Sequence, residues 1–179
     1  MKTTINLTPE EALRCESGDT FTFARPLIKQ PPDCYNKPVI LDNKYVEFIH
    51  TRTTDPLNIP LQYPVGAKLG MRETWGYNSW ICSSNYKRFN YRADHLHPSG
   101  KWKSPVTMPA EAIRNHVTII SNTVQRVQDV AYQEWRAMFP ETSEHFIATI
   151  IDYWNSLYAK KGLSWESDPY IELCEGKVK

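Results

Sequence analysis

The sequence lacks long apolar runs, closely spaced cysteines and glycine-rich loops, and each absence excludes a class of function. It holds only 7 glycines, none arranged as GxGxxG or GxxxxGK[ST], so no loop of backbone amides is set up to cradle a phosphate. Neither HExxH nor a Ser/His/Asp order is present, which sets aside the zinc-protease and serine-hydrolase mechanisms. Cys15, Cys34, Cys82 and Cys174 are scattered without a CxxC pair. That spacing argues against a zinc knuckle or a thioredoxin-type couple and predicts reduced thiols in a cytoplasmic setting. The start, MKTTINLTPEE, has no apolar core of a signal peptide, and no stretch approaches membrane-span length, so a non-membrane protein is expected. A net charge of +1 supplies no global field toward nucleic acid or lipid, and any such contact must be local.

What the chain does have is aromatic surface: 6 Trp, 10 Tyr and 6 Phe in 179 residues. Aromatics on this scale oppose disorder and offer flat faces for stacking. The charge is unevenly spread. Between Tyr86 and Lys103 stand Lys87, Arg88, Arg92, Lys101 and Lys103 against Asp94 alone, whereas the segment after Pro140 is acidic. The length suits one domain, 1–179, with loop insertions near 26–44 and 76–109.

Local patterns predict a mixed order of elements. LTPEEALRCESG reads as a short helix, with Thr8 as cap, Pro9 in the first turn, Glu11 closing a capping box and Gly18 as stop. TFTFA alternates as a strand, and ARPLIKQPPDCYNKPV and TTDPLNIPLQYPVG read as Pro-rich turns or loops around a strand at KYVEFIHT. LGMRETW, YKRFNYRAD, VTIIS, VQRVQDV and YIELCEG supply further strands. AYQEWRAMF reads as a short helix, and TSEHFIATIIDYWNSLYAKKG as a longer one with the stripe Phe146, Ile147, Ile150, Ile151, Trp154, Leu157 and Tyr158. The class is α+β around an antiparallel, barrel-like sheet.

One residue conflicts with this pattern. In LGMRETW, strand alternation puts Glu73 on the same face as Leu69 and Met71. An unpaired carboxylate on an apolar face is costly, so Glu73 is expected either in an ion pair or at the lip of a ligand cleft. At a lip it could act as acid or base, or accept hydrogen bonds from a nucleobase edge, with Arg72 and Trp75 beside it. Arg114, entering the strand VTIIS, is either an ordinary surface charge or the counter-ion that Glu73 requires. YKRFNYRAD interleaves basic and aromatic residues, Tyr91 and Arg92 among them, as phosphate contacts beside base stacking require; an exposed strand would look the same. In HLHPSGKWK, His95 and His97 have metal-ligand spacing but sit in a Pro/Gly loop, so no metal is expected. Lys101 and Trp102 suit a basic loop closing on a ligand, or a tryptophan that packs the loop down.

Taken in order, YPVGAKLGMRETW, YRAD, KWKSPVTMP with AIR, VQRVQDV, YWNSLY and SWESDPYIEL resemble the ASCH-domain proteins of phages and prophages, from roughly Gly66 to Glu172. The resemblance implies a PUA-like pseudo-barrel with helices packed at its edge, a bacterial host cytoplasm and a cleft for a nucleoside or RNA. Some relatives in that family hydrolyse RNA or acylated cytidine with a Lys and a Thr in Gly-x-Lys-x-x-Thr and a later Glu. Here Glu73 matches the Glu, while SGDTFTFAR, aligned on Gly18 and Arg25, places Thr20 at the Lys position and Phe23 at the Thr position. The missing amine argues against catalysis and leaves Arg25, Arg92 or Arg114 to pair with Glu73.

Three readings follow. The first is a cofactor-free, non-catalytic protein that holds a nucleotide, modified nucleoside or single-stranded RNA around Glu73, with Thr20, Arg25, Arg72, Trp75, Tyr91, Arg92, Lys101, Trp102 and Arg114 as ligand contacts. The second is a nucleoside amidohydrolase or ribonuclease of the ASCH type, with Glu73 catalytic and Lys29 or Lys101 replacing the amine. The third is a phage anti-defence protein that sequesters a signalling nucleotide or blocks a host protein.

Overall fold

A computed structural model gives the fold, describing residues 3–17, 20–53, 55–78, 89–94, 100–139 and 146–179. Cys82, Lys87, Arg88, His95, His97 and the Gly18 stop lie outside these. The described contacts group into two units interleaved in sequence: Thr22–Val65 with Ile119–Glu175, and Lys2–Phe21 with Gly66–Thr118 and Gly176–Lys179. Three strands, β2 (Thr20–Pro26), β9 (His116–Arg126) and β10 (Tyr170–Val178), run through both.

In the first unit, β9, β10 and β2 are successive neighbours in a sheet. Its core joins Ile171 and Leu173 of β10 to two helices, α2 (Tyr132–Met138) and α3 (Phe146–Tyr158), through Trp135, Met138, Ile150 and Trp154. The α3 stripe follows the expected spacing except at Ile147, which lies in the first turn of the helix and is exposed. Gly162, at φ 74°, follows the turn that closes this helix, in the left-handed geometry glycine tolerates best.

A second, antiparallel sheet in the first unit has the order β3 (Tyr35–Leu41), β4 (Tyr45–His50), β5 (Pro56–Pro60). The two Pro-rich segments read as turns therefore contribute strands. Pro38, Pro56 and Pro60 sit on the two edge strands, where a missing N–H need not break a ladder, and the register shifts between Asn36 and Val39, around Pro38. Buried Glu172 ties β10 to the 61–66 turn by accepting from Gln62 N at 2.9 Å, Tyr63 N at 3.0 Å and Asn122 Nδ2 at 2.9 Å.

The second unit begins with β1 (Thr4–Asn6) and α1 (Pro9–Ser17), whose capping box forms as its sequence predicts. Glu11 N donates to Thr8 Oγ1 at 3.2 Å and Thr8 N to Glu11 Oε2 at 3.0 Å. β6 (Lys68–Arg72) lies between β1, to which it is parallel, and the start of β9, to which it is antiparallel. β7 (Trp75–Tyr77) and β8 (Phe89–Tyr91) make a two-stranded ribbon.

The class is α+β, as expected, with sheets of five, three and two strands among the described residues and no closed barrel. The all-antiparallel expectation fails at β1. The chain passes through α1 and then β2, β3, β4 and β5 before β6 comes beside β1, so that Thr4 pairs with Gly70 in parallel register, which strand alternation alone does not encode.

Candidate functional site

Glu73 follows the last residue of β6 and keeps its parity. Leu69, Met71 and Glu73 all point inward, and Glu73 is only 3% exposed. It therefore does not sit at an open lip. Arg114 approaches it side-on, with Nε donating to Oε1 at 2.8 Å and Nη2 to Oε2 at 2.9 Å, so both carboxylate oxygens are engaged by one planar guanidinium. The third nitrogen, Nη1, donates to Asp94 Oδ2 at 2.9 Å. The guanidinium carbon also lies 4.1 Å from the centre of the Tyr91 ring, and Tyr91 Oη donates to Ala112 O at 2.7 Å.

Burial alone would pull the Arg114 guanidinium down, but the hydrogen bond and charge of Glu73, followed by those of Asp94, outweigh it and raise its pKa further above the ordinary value. Burial likewise raises the Tyr91 phenol; Arg114 opposes the rise, while Glu73 and Asp94 add to it. Arg114 is the counter-ion that the inward Glu73 requires. A carboxylate held this way is suited to locking β6 to the 110–115 segment, not to accepting a proton or attacking a substrate.

The ribbon beyond Glu73 carries a more accessible arrangement. Trp75 pairs with Tyr91 and Tyr77 with Phe89, which puts four aromatic rings on one face. Trp75, Phe89 and Tyr91 are buried with Met108 and Ala112, whereas Tyr77 is 46% exposed. On the other side of β7, Lys103 bridges Trp75 through reciprocal backbone hydrogen bonds of 3.2 and 2.8 Å. Its Nζ sits 4.3 Å from the Tyr77 ring centre and 4.9 Å from that of Trp75. The face thus runs from a half-buried cation, Arg114 on Tyr91, to an exposed one, Lys103 on Tyr77.

The other predicted site residues fall around these two features or apart from them. Arg92 is exposed on the turn that follows β8, and Lys101 and half-buried Trp102 precede Lys103. Half-buried Arg72 points Nη1 to Val106 O at 3.4 Å. Thr20 is exposed at the start of β2, in the same unit. Arg25 belongs to the first unit, where it donates to Ala24 O at 2.9 Å and lies 5.4 Å from the Phe23 ring centre. Phe23 is buried against Tyr63, a packing role.

Sequence reasoning missed Tyr77, and it counted Lys103 and Asp94 in the basic window without giving them a place in the site. A usable signal was there for the first: in WGY, two aromatics two residues apart share a strand face. In the first unit, a cavity of about 290 Å³ is bounded by Thr22, Ser121, Thr123, Gln133 and Glu175, with no Lys or Arg among its described lining residues, so it offers a phosphate no counter-ion. Among the described residues, no cluster of His, Cys, Asp or Glu could hold a metal ion, and no helix is long and apolar enough to cross a membrane. No family model, curated protein or solved structure matches the chain.

Proposed function

We propose that this chain is an ASCH-like, PUA-type phage protein that binds a nucleotide or single-stranded RNA in the host cytoplasm without transforming it. The proposed contact surface is the aromatic face of β7 and β8 together with Lys103, and Glu73 serves as its anchored base. One observation carries the reading: an accessible tyrosine stands directly beside an exposed lysine ammonium, at the Tyr77–Phe89 pair of a ring-lined ribbon. Stacking on an aromatic side chain is worth about 1–3 kcal/mol per base and tolerates any base, while an adjacent cation meets the phosphate. Arg92 and Lys101 flank the same ribbon in sequence and extend the basic character. Binding is favoured over hydrolysis because both oxygens of Glu73 are committed to Arg114 and the matched amine position holds Thr20.

The test is a fluorescence titration of the full chain with oligouridylate, AMP, UMP and cytidine. Tyr77→Ala should weaken oligonucleotide binding roughly 5- to 150-fold, as loss of one stack implies. Lys103→Gln should lower the salt dependence by about 0.7 in log–log slope, as loss of one single-strand phosphate contact implies. Absence of binding to every probe, or variants that bind as the wild type does, would remove the proposal.

A further inference from the structure

The β3-β4-β5 sheet carries large apolar residues on both faces. One face packs inward through Val46, Phe48 and Ile59 onto Leu27, Leu61 and Tyr170. Alternation turns Val39, Leu41, Tyr45 and Ile49 to the other side, where they are between 37% and 48% exposed. A sheet with one face in water normally carries polar residues there, and contiguous exposed apolar residues mark contact surfaces. We infer that this outer face is a docking surface for a different protein, one that presents an apolar patch bearing a Lys or Arg.

The charge on the face selects the occupant. Glu47, on the central strand and cross-paired with Val39 on one side and the polar Asn58 on the other, lies between Tyr45 and Ile49 along β4, and it has no charged partner among the described residues. Among the residues whose side chains are described, no basic one shares its face. A two-fold contact between copies centred there would bring the two Glu47 side chains together in a dehydrated interface, leaving like charges unpaired. A basic group on the partner removes that cost and adds a charge-assisted hydrogen bond.

The edges select the mode of docking. Pro38 with its register shift on β3, and Pro56 and Pro60 on β5, blunt both sides of the sheet against addition of another strand, so the partner covers the face. Three strands at about 4.8 Å spacing give a patch on the order of 200 Å², which is the dry centre of an interface and smaller than the roughly 800 Å² per partner of a complete one.

Two measurements on the full chain test this. Sedimentation should show a monomer; a dimer dispersed by Ile49→Asp would overturn the inference in favour of self-association. Selection from a displayed library of short random peptides should enrich apolar sequences containing Lys or Arg. Their binding should fall at least about tenfold with Ile49→Asp, as expected for an anchor position, while thermal unfolding is unchanged. Glu47→Lys should abolish it and select Asp- or Glu-containing peptides instead. No enrichment, enrichment without basic residues, or binding that survives both substitutions would overturn it. Neither substitution touches the aromatic ribbon, so oligonucleotide binding reports separately on the function proposed above.

Discussion

Replacing Arg114 by methionine leaves Glu73 inside the second unit without either of its side-chain donors. The structure bounds the cost. Asp94 keeps a fifth of its side chain in solvent, so losing Arg114 costs it less than about 1 kcal/mol. Glu73 is only 4% exposed at the side chain and has no such recourse. Removing one partner of a buried pair typically costs about 3–5 kcal/mol. The buried carboxyl also has an escape, since it can take up a proton. For a glutamate that ionises near 4.3 when unfolded, protonation at pH 7 costs about 3.7 kcal/mol, and this sets the ceiling. The expected loss is therefore about 3–4 kcal/mol at pH 7.

The same reasoning fixes the pH dependence. In the variant the native state holds one more proton than the unfolded state above pH ~4.3, so its stability falls as pH rises, and the penalty shrinks to about 1 kcal/mol at pH 5. Urea unfolding of wild type and Arg114→Met at both pH values, followed by tryptophan fluorescence, measures this. The cycle with Glu73→Gln and the double variant should recover most of the loss. A penalty below about 1 kcal/mol at pH 7, or one equal at both pH values, would refute the assignment of Glu73 as a buried ion-paired anchor.

Three other outcomes follow from the packing. Glu172→Gln turns an NH₂ toward one of three donors that the carboxylate now accepts and should cost about 1–3 kcal/mol in urea unfolding; unchanged stability would show that these donors find water instead. A Cβ on Gly176 would overlap Val117 Cγ2, so Gly176→Ala should lower stability by about 1–3 kcal/mol, and a neutral thermal shift would contradict that contact. Burial pushes the Cys174 thiol well up, and Glu172 adds to it, so the native state keeps a proton that the unfolded chain loses above about pH 8.5. Stability should fall as pH rises beyond that point, by up to about 1.4 kcal/mol per pH unit, and Cys174→Ala should flatten the first part of the fall in chemical unfolding.

Much of the local structure is written in adjacent residues. Thr8 and Glu11 form their capping box because both partners lie within one helical turn, and Glu73 faces inward because parity along a strand needs no distant information. Proline-rich segments misled for a physical reason. Proline removes a donor wherever it stands, and only sheet position says whether that donor was needed, so β3 and β5 became visible once they proved to be edges.

By itself the sequence determined the mixed class, the capped first helix, the α3 stripe apart from Ile147, and the choice for Glu73 between an ion pair and the lip of a cleft. For the ion pair it offered Arg25, Arg92 or Arg114, and it was the cleft that the structure ruled out. Only the tertiary structure chose Arg114, 41 residues away, and set Asp94 and Tyr91 around it, because a bidentate pair depends on where two distant backbones bring their side chains. The same holds for Lys103 over Tyr77 and for the apolar outer face around Glu47. Each is a meeting of separate strands, and register between strands is decided by the packed core beneath them.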